Sequence, residues 1–283
     1  TGRIFSYDTF LAKDGVRVLM QNASITKTKE RTGTLTHILG FFFDLKRTSI
    51  DALARALPEP HASLASGLLV GGKQGLGKPL LDDFIRAGLI HVVVLSGYNV
   101  MIVADFVMRI FRFFSRRTSA FLGVLTIFLF VLSAGAGPAS IRAGIMAGVA
   151  LYARATGRTY SAFRALLFAG TLMLLVNPLT LLYDPGFQLS FLLIFGVPLV
   201  ERKLLFVRST FLREVIASSI SAQIAVLPLL LYQNGLFSLV ALPANILVLP
   251  IVPLAMLASF IALLWGAFIP VFAGVIGLPA YVL

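Results

Sequence analysis

The sequence predicts an all-α polytopic membrane protein: a bundle of about seven transmembrane helices, some broken or re-entrant, preceded by amphipathic helices and what remains of a small β-containing domain. Three observations predict it. Of the 283 residues, 58% are hydrophobic and 13% charged, with a mean hydropathy of +0.92; a soluble domain cannot hide that much apolar side chain, whereas lipid accepts it. Charge-free runs recur, and the longest, Val215 to Leu283, has no Asp, Glu, Lys, Arg or His over 69 residues. At about 1.5 Å per residue that run could cross a core of about 30 Å roughly three times. Finally, the basic residues of the apolar part fall in alternate loops.

The formal charge of +12 is divided unevenly: residues 1–89 hold 12 Lys/Arg and 8 Asp/Glu, and the remainder holds 12 and 4. The more hydrophobic part is therefore the more basic one, which suits an anionic cytoplasmic leaflet and would equally suit a polyanionic cargo. With no cysteine in the chain, disulfide frameworks and thiolate metal sites are excluded.

Residues 1–33 mix polar and apolar positions, and Val16, Val18 and Met20 alternate as a short strand would after the turn at Asp14-Gly15. That is too little to close a core, so this stretch is expected to be the tail of a soluble domain. Thr1 is not an initiator Met, no signal-peptide pattern follows it, and the other end stops inside the apolar run Val275 to Leu283. The sequence is thus expected to be an excerpt of a longer chain.

Residues 34–88 form the second unit. Leu35, Ile38, Leu39, Phe42, Leu45, Ile50, Leu53 and Leu57 recur at helical spacing, with Asp44, Lys46, Arg47, Asp51 and Arg55 between them, until Pro58-Glu59-Pro60. Such a helix lies on the membrane surface or on the bundle. Gly72 to Lys78 has the G-x-x-x-x-G-K spacing of a phosphate-binding loop, but Pro79 stands where a Ser or Thr hydroxyl should ligate magnesium. A flexible basic loop is the better reading, because short motif matches are common by chance.

Residues 89–283 are the membrane unit. The first span, Leu89 to Phe114, is interrupted: within the uncharged run His91-Val92-Val93-Val94-Leu95-Ser96-Gly97-Tyr98-Asn99-Val100-Met101, the middle is polar. Unwound backbone at membrane depth is tolerated only against protein or a wet cavity, so Ser96 to Asn99 reads as a pore or site element. Uncharged runs then follow at Thr118 to Ile141, Ala143 to Ala153, Ala165 to Tyr183 and Pro185 to Val200. If the first span ends inside, the inner loops hold 11 basic residues (Arg109, Arg112, Arg116, Arg117, Arg154, Arg158, Arg164, Arg202, Lys203, Arg208 and Arg213). The outer loops at 134–138, 177–186 and 233–238 hold none. This positive-inside pattern places everything before residue 89 on the extracytoplasmic side.

Inside the spans a few polar residues are out of place. Arg142 sits just past a helix start at Pro138, where it either snorkels to the outer surface or lines an anion path. Asp184 is placed to cap a helix opening at Pro185-Gly186, and Gln188 and Ser190 follow within two turns of it. Capping explains Asp184 but not Gln188 or Ser190, and helix starts aimed into a membrane cavity attract anions. Gln223 with Pro228, and Asn245 with Pro250 and Pro253, interrupt the long uncharged run, where a structural role suffices for each. His37, His61 and His91 are scattered, and neither a paired-histidine motif nor a G-x-S-x-G elbow occurs. No metal, cofactor or catalytic function is therefore expected.

These segments carry a family likeness. HVVVLSGYNV at 91–100, then SIRAGIM at 140–146, Asn177-Pro178 with DPGFQLSF at 184–191, Gln223 to Pro228, and Ala244-Asn245-Ile246-Leu247 before Pro250 resemble the ComEC-type competence proteins over most of residues 60–260. The resemblance implies an inner-membrane channel for one strand of transforming DNA, with Ser96, Gly97, Arg142, Asp184, Gln188 and Gln223 on family motif positions. It also implies that residues 1–33 end an extracytoplasmic OB-like domain. Partners on this view are single-stranded DNA, membrane lipid, other competence-machinery proteins and further copies in an oligomer. Where the family usually has Leu-His after Ser-Gly, this chain has Tyr98-Asn99. No metallo-β-lactamase-like nuclease lies within these residues, so strand degradation is not assigned to them. The expected pore lining comprises Ser96, Gly97, Asn99, Arg142, Asp184, Gly186, Gln188, Ser190, Gln223 and Asn245. The rival readings are a small-solute or lipid transporter, which broken midplane helices serve equally well, and a membrane scaffold for a soluble nuclease.

Overall fold

The computed structural model describes residues 34–71, 75–93, 96–233, 238, 240–268 and 277–282. The expected OB-like remnant at 1–33, residues 72–74 of the glycine-rich loop and the expected breaks at 234–235 and 269–270 lie outside the described residues. Every regular element among the described residues is helical.

The first helix, α1 (Thr34–Ala56), is the one the spacing over 35–57 predicts, and it stops before Pro58. It is two-faced. Ala52, Leu53 and Ala56 are buried, while Phe41, Phe43 and Leu45 stand exposed. Next comes α2 (His61–Val70), closed by Gly71 in the left-handed conformation, whose N–H bonds back to Gly67 and Ser66 carbonyls. Then follow α3 (Lys78–Arg86) and the one-turn α4 (Ile90–Val93). Lys78 opens α3 with Pro79 behind it, and the element before the loop is the helix α2, so the strand that a phosphate-binding loop requires does not precede it.

The first predicted span is interrupted, but not where the polar residues suggest. Helix α5 runs Gly97–Ile110 with Ser96 as its extended N-cap, so Tyr98 and Asn99 are already helical and the break falls before Gly97. The chain continues with α6 (Arg116–Ser133), α7 (Pro138–Ala155), α8 (Ala162–Val176), the single turn α9 (Thr180–Tyr183), α10 (Pro185–Lys203) and α11 (Thr210–Gln233). It closes with α12 (Ala241–Val248), α13 (Val252–Phe268) and the short α14 (Leu278–Val282). The ends of α5 to α8, α10 and α11 fall beside the clusters of basic residues or the uncharged breaks read from the sequence.

Two cores hold these helices. In the first, Leu53 and Ala56 of α1 and Leu57 just beyond it meet Leu68 and Leu69 of α2 and Val252, Met256 and Ala262 of α13. In the second, Val100 and Ala104 of α5 pack with Ile127 and Val131 of α6 and Ala143, Ala147 and Leu151 of α7. Helix α5 joins them, since its Ile102 and Val103 lean on the first core while Val100 and Ala104 belong to the second. The α10–α11 pair is seated through α8: a Cβ at Gly170 would fall 2.6 Å from the Phe191 ring, so only glycine lets α8 and α10 approach this closely.

Much apolar surface faces outward. Phe121, Leu175, Val176, Leu199, Leu247 and Phe268 are each largely exposed, a pattern that marks contact with lipid or partners rather than water. Among the described residues, α6 is long and apolar enough to cross a membrane by itself. Only 17% of its residues are buried within the fold, which a soluble core helix would not tolerate. The α12–α13 pair passes the same test as one span bent by 54°.

Candidate functional site

Three segments far apart in sequence meet around α7. Gly97, at the start of α5, faces α7 so closely that a Cβ on it would lie 3.4 Å from that of Ala143. One residue earlier on α7, the Arg142 guanidinium reaches the start of α10, where its Nη2 donates to the Gly186 carbonyl oxygen at 2.9 Å. Ser96–Gly97, Arg142 and Asp184–Gly186 are thereby brought together at the N-terminal ends of three helices. The sequence names each of the three, but not that they meet.

Arg142 is 7% exposed and lies with its Cζ 6.0 Å above the Phe187 ring, a cation–π approach. Its Nη1 has no hydrogen-bond partner, and neither does Asp184 Oδ2, although both atoms are buried. A buried donor and a buried acceptor of opposite charge, both left unmatched, are costly unless something joins them. The arginine therefore does not snorkel; it is packed inside.

The three helix starts are equipped differently. At α10, Asp184 Oδ1 accepts from the N–H groups of Gly186 and Phe187 at 2.9 and 3.3 Å, so this N-terminus is capped as the sequence predicts. At α5, Ser96 makes no capping bond; its hydroxyl instead donates to Asn99 Oδ1 at 3.3 Å. At α7 the cap position is Gly137, which has no side chain to offer. The first N–H groups of α5 and α7 thus keep their partial positive charge for water or an anion.

The remaining predicted residues divide into those that hold this site in place and those that lie apart from it. Asn99 is fully buried and its Nδ2 donates to the Leu68 carbonyl at 3.2 Å, which anchors α5 to α2. Gln188 Nε2 donates to the Leu181 and Leu182 carbonyls at 3.0 and 3.1 Å, tying α10 back onto α9. The Ser190 hydroxyl donates to the Phe187 carbonyl at 2.7 Å, one turn back along its own helix. Gln223 is half-buried on α11, and Asn245 is buried on α12 with its Oδ1 unpartnered. The structure connects neither of these two directly to Arg142. Tyr98 lies within the Ser96–Asn99 element but outside the expected lining; its hydroxyl donates to the Leu249 carbonyl at 3.2 Å and links the start of α5 to the end of α12. Sequence reasoning missed Ser219 and Ser221 on α11, whose buried hydroxyls lack partners among the described residues; a run of small polar residues in an uncharged stretch was the available signal. Among the described residues, no group of three His, Cys, Asp or Glu side chains could hold a metal ion.

Comparison with known proteins decides the family. The family model described as Competence protein matches residues 68–283, three quarters of the chain. This chain belongs to the competence protein family. It is of the ComEC type: it is 27% identical over 260 residues, 91% of its length, to ComE operon protein 3 of Bacillus subtilis (strain 168). The chain spans about a third of that relative, since the match covers 33% of it. No solved structure matches the chain. The competence family match takes in every residue of the α5–α7–α10 junction, from Ser96 to Ser190.

Proposed function

We propose that this competence protein is a multi-pass protein of the cytoplasmic membrane that passes single-stranded DNA inward during DNA uptake. Its path runs by the junction of α5, α7 and α10. The observation that carries the reading is the buried Arg142 with an unused Nη1, set beside two helix starts that lack side-chain caps. Such a cluster offers cationic and partial positive charge to a phosphate without fixing base identity, as strand translocation requires. Ser96, Gly97, Asp184 and Gly186 form the wall around Arg142. Asn99, Gln188 and Ser190 hold that wall in register. Gln223 and Asn245 would line the path at another level.

The basic inner loops and uncharged outer loops support an orientation with residues before 89 outside. Helix α7, at about 1.5 Å per residue, is about 27 Å long, close to the bilayer core. Arg142 then lies in the outer half, where an incoming strand meets it early.

Labelled-strand uptake in cells carrying Arg142→Ala should fall to background, while Gln188→Ala, which loosens the wall, should retain part of it. Undiminished uptake in both overturns the reading. The sequence contains no cysteine, so single Ser96→Cys and Ser190→Cys variants report directly on hydration. Both should react with water-soluble thiol reagents, and silence at both from either side removes the passage. If uptake were intact while those cysteines reacted, a small-solute transporter would be the better reading.

A further inference from the structure

Away from the α5–α7–α10 junction, an open groove of 570 Å³ lies between α1 and α2. That is within the range of about 300–1,000 Å³ in which small-molecule-sized groups bind. Phe43, Lys46 and Arg47 line one wall, and their spacing of three and four residues along α1 puts them on a single ridge. Ser63 and Glu59 line the opposite side.

Among the described residues the cations of this groove are uncommitted. The ion pair there is Arg213–Glu201, at the far end of α10, and neither Lys46 nor Arg47 has a bonding partner among them. Glu59, the carboxylate in the groove, is already engaged: its Oε2 accepts from the Ser63 N–H at 3.3 Å and fastens the first turn of α2. Partial burial pulls the Lys46 ammonium below its ordinary range, with no counter-charge to oppose the shift. An incoming anion would offset that desolvation. Next to the two cations the Phe43 ring is 67% exposed. The floor is shaped by Gly75, where a Cβ would fall 2.0 Å from Ser63 Oγ, so only glycine lets the loop settle on α2 here.

The groove also has a direction. Lys46 Nζ lies 4.0 Å from where a Cβ of Gly135 would stand, which places it beside the turn that opens α7, the helix of Arg142. Two adjacent cations, an open aromatic face and a lead toward the buried arginine are what single-stranded nucleic acid uses: a basic track for phosphates and a ring on which a base stacks. We propose that the α1–α2 groove is the docking site for single-stranded DNA ahead of the junction, with Lys46 and Arg47 on neighbouring phosphates and Phe43 beneath a base. The proposal rests on the strand-channel reading and adds the place where the strand is first held.

The test is binding of a fluorescent oligothymidylate to the full-length protein in nanodiscs of zwitterionic lipid, followed by anisotropy across a salt series. Lys46→Gln with Arg47→Gln should reduce the slope of log affinity against log salt by about 1.4, because each phosphate contact to a single strand contributes about 0.7. The charge-keeping pair Lys46→Arg with Arg47→Lys should restore it. Phe43→Ala should weaken binding at least about fivefold with the slope unchanged, the signature of a lost stack. Slope and affinity that stay at wild-type values in the double Gln variant overturn the proposal. So does a double variant that still binds the strand but loses affinity for phosphatidylglycerol vesicles, which assigns the groove to a lipid head group. Failure of the channel reading is distinguishable: Arg142→Ala would then import normally, while the groove variants would still lose strand binding.

Discussion

The helix break before Pro185 and the helix break before Gly97 face the same demand, an interrupted backbone inside an apolar protein, and meet it differently. At Pro185 the chain supplies its own partners: Asp184 accepts two N–H groups of α10, Gln188 donates to two carbonyls at the end of α9, and the Asn177 side chain accepts from the Leu179 N–H. At Gly97 the extended Ser96 leaves the new helix start without a side-chain acceptor and spends its hydroxyl on Asn99 instead. The first break is held by side chains of its own neighbours, and the second opens a helix with no side-chain cap. Arg142 stands between them, bonded to the satisfied side and adjoining the open one.

Substitutions at three positions test that contrast. The largest effect is expected at Arg142. Removing it takes away the buried guanidinium that holds the Gly186 carbonyl of α10, a loss of about 1.5–3 kcal/mol for a hydrogen bond made by a charged group. The unfolding midpoint of purified Arg142→Ala, followed through the single Trp265, should fall well below wild type, and Arg142→Lys should recover part of it. Asp184→Ala should cost about 1–2 kcal/mol by removing the cap, and Asp184→Asn less, since an amide oxygen still accepts. An Asp184→Ala protein as stable as wild type would mean that the α10 break is not held by its cap. The smallest effect is expected at Ser96→Ala, below about 1 kcal/mol in the same measurement. Its influence should appear in uptake rather than in stability; a stability loss as large as that at Asp184 would abolish the contrast.

The sequence made the helix ends legible because charged residues interrupt the apolar runs and mark where they stop. Arg109 to Arg117, Arg154 to Arg164 and Arg202 to Arg213 sit in or beside the loops that separate α5 from α6, α7 from α8 and α10 from α11. Asp184 as a cap could likewise be read, because capping is decided by neighbours in the chain. What could not be read were contacts across long separations. Asn99 looked like part of the break because it is polar, yet it is helical, held by a carbonyl 31 residues earlier. Gln188 looked like a free polar group on a helix start, yet its amide nitrogen turns back six and seven residues. The bond from Tyr98 to Leu249 spans 151 residues, and no local pattern announces it. Lys46 and Arg47 read as charges between the apolar positions of a helix lying on the membrane surface or on the bundle, and α2, far enough along the chain to leave no local trace, makes them one side of a groove.

Arg142 grips a main-chain oxygen, not a side chain, and this makes the tie between α7 and α10 asymmetric under mutation. Every amino acid placed at position 186 would still present the same carbonyl, so single-codon drift can erase the donor of this bond but not its acceptor. Variants that uncouple the two helices while sparing the arginine should therefore come from insertions, deletions or lost turns near Pro185, and point replacements should be scarce among them.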